Sequence, residues 1–219
     1  MTMEYFRGGN IVSIGPAASR FAALGRVEAY WEGLRDGRLM PARAEVDPRG
    51  IADALEQAFI FEKIAPGLAR VRLAGRHLND LMAMELRGMP VSALFLPEAR
   101  REVARILDEV MDTPAVVRLS LISERGFGRA PLIARMILMP LRDGHGAPTR
   151  IFGALQAVGR IGRGPSRFCV QDVETRPVSP AQARRPVGAA YAPAPATGPR
   201  PNPKGTAPAL RLVHDADRL

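Results

Sequence analysis

A chain of 219 residues with 47% hydrophobic residues suffices for one ordinary domain, while 20 prolines and 21 glycines place part of it outside the core. No apolar run approaches the roughly eighteen residues that span a bilayer, so we expect no membrane span. The formal charge is +9, and the lone Cys169 can form no disulfide within the chain, which is typical of a cytoplasmic protein.

The first elements in chain order are an arm and an amphipathic helix. Residues 1–21 are mixed in character and are interpreted as an N-terminal arm. From Phe21 onward, apolar residues recur at steps of three and four, which predicts one apolar helix face that packs or dimerises. Asp36-Gly37 then ends the helix, because glycine accepts the left-handed conformation of a C-cap. The residues of this predicted dimer or packing face are Phe21, Leu24, Val27, Tyr30, Trp31 and Leu34.

A β-hairpin is predicted next. Residues 58–64 and 69–73 read as strands, and Pro66-Gly67 between them is typical of a tight turn. In the second strand, Val71 and Leu73 are expected on one side, with Arg70 and Arg72 on the other.

Helices and three more strands follow. Residues 75–96 indicate short helices, and residues 98–111 a longer amphipathic helix. Strands are predicted over residues 115–122, 130–141 and 150–158. This order predicts an α+β fold, a five-stranded antiparallel sheet with helices on one face in addition to the N-terminal amphipathic helix.

The C-terminal part of the chain has a different composition. Ten prolines fall between residues 165 and 208 without periodicity, and most of the positive charge lies in residues 160–219. Such a segment buries too little apolar area to offset the entropy of ordering, so we predict a disordered, basic, Pro- and Ala-rich tail. Its short apolar segment, residues 209–214, is either a peptide that folds on a partner or an unstructured end.

Several short stretches occur in a characteristic order and spacing. They are residues 29–38 (AYWEGLRDGR) with Pro41, Arg43 and Asp47-Pro48, residues 72–75 (RLAG) and 85–88 (ELRG), and residues 138–141 (LMPL) and 151–155 (IFGAL). Together they cover roughly residues 24–158, and the chain resembles the small stand-alone bacterial proteins of the PAS superfamily. One position departs from that pattern, because Ala83 stands where such proteins usually carry a glycine.

The resemblance implies a sensory or protein-interaction module. Such domains bind small ligands between sheet and helices, dimerise through the N-terminal helix, and pass signals to an output domain. Heme-binding members use a histidine on the long helix before the third strand, and residues 98–111 contain none. Light-sensing flavin members need a cysteine in an Asn-Cys-Arg-Phe run, whereas Cys169 falls in the predicted tail. We therefore expect no heme or flavin.

The sequence offers no other pattern for a cofactor, a metal or catalysis. Three histidines and one cysteine lack metal-ligand spacing. Neither a Gly-x-Ser-x-Gly nucleophile elbow nor a Walker phosphate loop occurs. We therefore expect a protein that is not an enzyme and has no cofactor.

The space between sheet and helices is the remaining candidate site. It is either a solid core, packed as interiors normally are, or a cavity for a small apolar ligand. The candidate lining residues are Val71, Leu73, Met82, Phe95, Val103, Ile106, Leu119, Leu121, Met136, Leu138 and Phe152.

Taken together, the sequence predicts three parts: the arm (residues 1–21), a PAS-like domain (22–159) and the tail (160–219). The predicted function is non-enzymatic sensing or regulation by a homodimer that binds an unidentified signalling protein. The alternative is a nucleic-acid or anionic-surface adaptor that attaches through the basic tail.

Overall fold

The fold is that of a computed structural model, which describes residues 20–124, 130–162 and 164–180. The predicted arm lies outside the described residues except for Arg20 and Phe21. Residues 181–219 of the predicted tail, with the apolar segment 209–214, lie outside them too.

Three α-helices occur within the described residues: α1 (Ala22–Arg35), α2 (Arg76–Met82) and α3 (Arg100–Asp112). Short 3₁₀ helices occupy the connections, at Arg43–Glu45, Pro48–Ala54, Val91–Leu94 and Pro97–Ala99. Proline opens two of these turns, where its fixed φ suits the first helical position and its missing N–H costs no hydrogen bond.

One antiparallel sheet joins all the strands of the described residues. The strands are β1 (Ala58–Ala65), β2 (Leu68–Ala74), β3 (Ala115–Ser123), β4 (Ile133–Leu141), β5 (Arg150–Val158) and β6 (Phe168–Pro177). Their order across the sheet is β2-β1-β5-β4-β3-β6. The predicted α+β class and antiparallel sheet are confirmed, with one strand more than predicted.

The additional strand is β6, which comes from the segment assigned to the tail. It pairs with β3 from Phe168 opposite Ser123 to Pro177 opposite Ala115. Phe168 is fully buried, so this end of the strand contributes to the core. Averaged over residues 160–219, the composition favours disorder. The ten residues of β6 nevertheless include side chains that favour a strand. The domain therefore extends beyond the predicted boundary at residue 159.

The sheet is buried on both faces. Helices α2 and α3 cover one side, called here the inner face, and α1 covers the other, the outer face. All residues of β4 from Met136 to Leu141 are buried. A continuous apolar run of this kind is typical of a strand that is covered on both sides. The N-terminal helix thus lies across the sheet from the other helices.

Helix α2 ends at a residue in a strained conformation. Ala83 is the C-cap and has a φ of +55° and a ψ of 28°, in the left-handed region. An alanine there places its Cβ too close to the following carbonyl oxygen, whereas a glycine has no Cβ. The departure from the family pattern at this position is therefore a local cost in stability.

Replacing Ala83 by glycine is expected to stabilise the protein by about 1 kcal/mol, because the strain is relieved. The free energy of unfolding is measured by urea titration. Ala29→Gly is the matched control, since Ala29 is exposed in the middle of α1. The control should lose about 1 kcal/mol. A loss of stability in Ala83→Gly would contradict the prediction.

Candidate functional site

Most of the predicted cavity-lining residues meet on the inner face of the sheet. They belong to one buried cluster with side chains from α2, α3 and the neighbouring 3₁₀ helices. The residues brought together are Val71, Met82, Phe95, Val103, Ile106, Leu119, Leu121, Met136 and Leu138. Leu73 and Phe152 are the two exceptions.

A β-bulge turns Leu73 to the outer face. Ile60 of β1 pairs with Leu73, and the next residue, Phe61, pairs with Val71. Arg72 is therefore the extra residue of the bulge, and the alternation of sides reverses there. Leu73 is 38% exposed and lines an outer groove, not the inner core.

Phe152 is also on the outer face, where it packs in the cluster of α1. It pairs with Ile60 of β1 and Met139 of β4, whereas Ile151 pairs with Phe61. Residues paired directly across antiparallel strands share a face, so Ile151 points to the inner core in place of Phe152. Both neighbours are apolar, and alternation in the sequence therefore cannot distinguish them.

Two aromatic rings that are not among the predicted lining residues occupy part of the inner core. The rings of Phe59 and Phe61 stack with centroids 4.0 Å apart and planes inclined by 8°. Gly153 of β5 makes room for Phe59, since a Cβ there would lie 2.0 Å from the Ile137 carbonyl oxygen and 2.7 Å from the Phe59 ring. A ligand in this part of the core would have to displace the stack.

The predicted dimer or packing face of α1 packs against the chain's own sheet. Trp31 is fully buried, and its indole Nε1 donates a hydrogen bond to the Pro140 carbonyl oxygen at 2.9 Å. Leu24 and Val27 are buried beside it. The other residues of this face are partly buried: Phe21, Tyr30 and Leu34.

A network of ion pairs fixes α1 to the far edge of the sheet. Glu28 accepts from Arg118 of β3 at 2.5 Å and from Arg176 of β6 at 3.3 Å. Glu32 accepts from Arg176 at 2.8 Å and from Arg35 at 2.9 Å. Burial acts to raise the pKa of Glu32, but the hydrogen bonds from Arg176 and Arg35 outweigh it, and the pKa is lowered. The first helix and the last strand are thus linked through charged side chains.

A second charged group lies at the other end of the sheet. Glu62 of β1 is only 8% exposed, and its carboxylate accepts from Arg70 at 2.6 Å and also pairs with Arg72 and Arg150. Burial acts to raise the pKa of Glu62, yet the three arginines bring it down to about 2. At neutral pH this carboxylate is therefore ionised and positions guanidinium groups; it does not carry a proton.

His77 and Cys169 have structural partners. The Nε2 atom of His77 accepts a hydrogen bond from the Ala157 N–H at 3.0 Å, and burial lowers the pKa of the imidazole. Cys169 lies in β6, not in a tail, and burial together with nearby Glu98 raises the pKa of its thiol. Among the described residues, no group of three or more His, Cys, Asp and Glu is placed to hold a metal ion.

The fold agrees with a comparison against protein families. A family model described as "PAS domain" matches residues 20–156, well over half of the chain. The chain belongs to the PAS domain family. Strand β6 lies beyond the matched part of this PAS domain. None of the helices in the described ranges is long and apolar enough to cross a membrane.

Solved structures give a weaker likeness. One match is the light-state structure of the LOV domain of the blue-light photoreceptor Aureochrome1, with 19% sequence identity and a TM-score of 0.38. The match covers 51% of this chain and 88% of the LOV chain. The dark structure of the same LOV domain is 19% identical over 50% of this chain and 80% of its own, also with a TM-score of 0.38. No curated protein matches the chain.

Removal of the Trp31 side chain is expected to lower the free energy of unfolding by about 3–5 kcal/mol, because a large buried ring leaves a cavity. Leu39, which is 42% exposed, provides the control, and Leu39→Ala should change stability by about 0.5 kcal/mol or less. Trp31 is the only tryptophan, so unfolding of Trp31→Ala in urea is followed by circular dichroism. Equal stability of the two variants would show that α1 is not packed as described.

The buried His77 should make stability depend on pH. Its pKa is lower in the folded protein than its ordinary value of 6.5, so the unfolded chain takes up the proton first. The free energy of unfolding is therefore highest above pH 6.5, where His77 is neutral in both states, and it decreases as the pH falls below that value. His77→Gln should weaken this loss in urea titrations between pH 7 and pH 5, whereas His145→Gln, in an exposed turn, should retain it. A His77→Gln profile parallel to that of the original protein would contradict the assignment.

Proposed function

We propose that this PAS protein is a non-enzymatic sensory or regulatory module that acts as a homodimer and binds a signalling protein. The observation that carries the proposal is the position of α1, which lies across the outer face and is tied by ion pairs to β3 and β6. A partner that moves α1 acts on both strands at once, which gives the domain a route for a signal.

The charged part of the α1 interface suits such a movement. Side chains of the network are between 19% and 42% exposed at Glu28, Arg118 and Arg176. Exposed ion pairs contribute about 0–1 kcal/mol each, because solvent screens them. They can therefore exchange partners at little cost, while Trp31 and its apolar neighbours keep the helix on the sheet.

The proposed dimer contact lies beside the start of α1. Two grooves of about 330 and 400 Å³ adjoin there and share Phe21, Ser120 and Arg135. Ile133 lines the second groove and is 58% exposed, and the Arg135 guanidinium lies 5.1 Å from the centre of the half-buried Phe21 ring. A second copy of the chain would cover these apolar groups. The buried part of α1 does not offer such a surface.

The sensory function that we propose could involve a small apolar ligand bound in the inner core. Met82 and Met136 are adaptable side chains that could line such a ligand. Entry requires a shift of the Phe59 and Phe61 stack. Native mass spectrometry of the purified protein reports a retained small molecule and the oligomeric mass in one measurement, and a mass equal to the bare chain would argue for a solid core.

Introducing a charge at Ile133 tests the dimer. Ile133→Glu should weaken self-association at least tenfold, because a carboxylate would be desolvated in an apolar contact. The oligomeric mass is measured by light scattering over a range of protein concentrations.

The matched control is Ile64→Glu, since Ile64 is 53% exposed but lies at the end of β1, away from these grooves. It should leave the dimer unchanged. A protein that is monomeric at every concentration, or equal weakening by both variants, would overturn the proposed contact.

A further inference from the structure

A third groove, on the outer face at the β2 edge of the sheet, is lined by several arginines. It has a volume of about 360 Å³, within the usual range of small-molecule sites. Three guanidinium-bearing residues line it, Arg43, Arg72 and Arg87, and they come from three separate parts of the chain. Leu73, which is 38% exposed, supplies apolar surface beside them, whereas Ile60 also lines the groove but is only 4% exposed.

Backbone hydrogen bonds bring Arg87 to the strand that carries Arg72. The Val71 N–H donates to the Met89 carbonyl oxygen at 2.8 Å, and the Gly88 N–H donates to the Val71 carbonyl oxygen at 2.7 Å. Gly88 has a φ of +85°, a conformation that glycine adopts without strain. The segment before it is therefore held against β2, directly beside the bulge.

Asn79 of α2 holds the other end of that segment. Its Oδ1 accepts from the Leu86 N–H at 3.1 Å, and its carbonyl oxygen accepts from the Met84 N–H at 3.2 Å. Gly75, at the end of β2, lies so close to the preceding turn that a Cβ would be 2.2 Å from the Glu56 carbonyl oxygen. The rim of the groove is thus built on fixed backbone.

The groove has more arginines than carboxylates, so its positive charge is not balanced. Arg72 shares Glu62 with Arg70 and Arg150, so three positive charges meet one negative charge there. Within the described residues, no ion pair is formed by the side chains of Arg43 and Arg87. Glu85 is the acidic residue that lines the groove, and it is exposed.

The stretches that carry the PAS resemblance converge here. Arg43, residues 72–75 and residues 85–88 are distant in sequence, yet each contributes to the lining. Core packing accounts for Leu86 and Gly75, but not for Glu85 and Arg87, whose side chains are exposed. The groove therefore brings together charged side chains that core packing does not explain.

We propose that the groove binds the phosphate group of a small organic phosphate monoester, whose apolar body lies over Leu73. Guanidinium groups match phosphate oxygens with paired, charge-assisted hydrogen bonds. A dianionic phosphate neutralises the excess of arginine better than a single carboxylate does. The proposal is independent of the dimer contact and of the inner core.

Calorimetric titration of the full chain with phenyl phosphate tests the proposal. Binding should weaken about tenfold in Arg87→Gln and in Arg43→Gln, because each variant removes one charged contact. Arg101→Gln is the matched control, since Arg101 is exposed on α3 across the sheet and should bind as the original protein does. Thermal unfolding confirms that all variants fold.

Three further probes separate the sources of affinity. Phenol lacks the phosphate and inorganic phosphate lacks the apolar body, so both should bind at least tenfold more weakly than phenyl phosphate. Benzoate, which carries one carboxylate in place of the phosphate, should also bind at least tenfold more weakly. The proposal is wrong if phenyl phosphate does not bind, if Arg101→Gln weakens its binding as much as Arg87→Gln does, or if phenol, inorganic phosphate or benzoate binds equally well. Such a failure would leave the dimer and the mass measurements unaffected.

Discussion

The packing of α1 on the outer face of the sheet is the contact on which the other features depend. Trp31, at the centre of this contact, combines complete burial with a hydrogen bond to a strand carbonyl, and both require the helix in one orientation. With α1 in place, β4 and β5 are covered on both sides and can be apolar at successive positions. Without it, the outer sides of these strands would form an exposed apolar patch. The helix is therefore part of the domain, not an appendage.

Charged groups surround this apolar contact in two places with different consequences. Near β3 and β6 the ion pairs are partly exposed, so they orient α1 while their charged side chains can still exchange partners. Around Glu62 three arginines share one buried carboxylate, and the excess of positive charge continues into a groove. The first arrangement is suited to motion and the second to recognition of an anion. Both lie on the outer face, so a partner and a ligand could act on the same side of the sheet.

Helix periodicity and turn residues predict most of the fold from sequence, because α1, the hairpin and α3 each have a local pattern. Three features have no such local signal. Strand β6 is stabilised by pairing with β3, far away in sequence, within a segment whose average composition favours disorder. The bulge at Arg72 depends on the register with β1, and it moves Leu73 to the other face. Phe152 and Ile151 are both apolar, so only the pairing partners decide which of them faces the inner core.

The contact between Arg176 and α1 joins residues that are 144 positions apart. During synthesis on the ribosome, the first helix emerges long before the strand that completes its charged interface. One edge of strand β3 likewise stays unpaired until β6 is synthesised, which happens after β4 and β5 have been made. Contacts of such high sequence separation slow folding and leave strand edges open to other chains. The nascent domain is thus most exposed to misassembly in the interval before strand β6 leaves the ribosome.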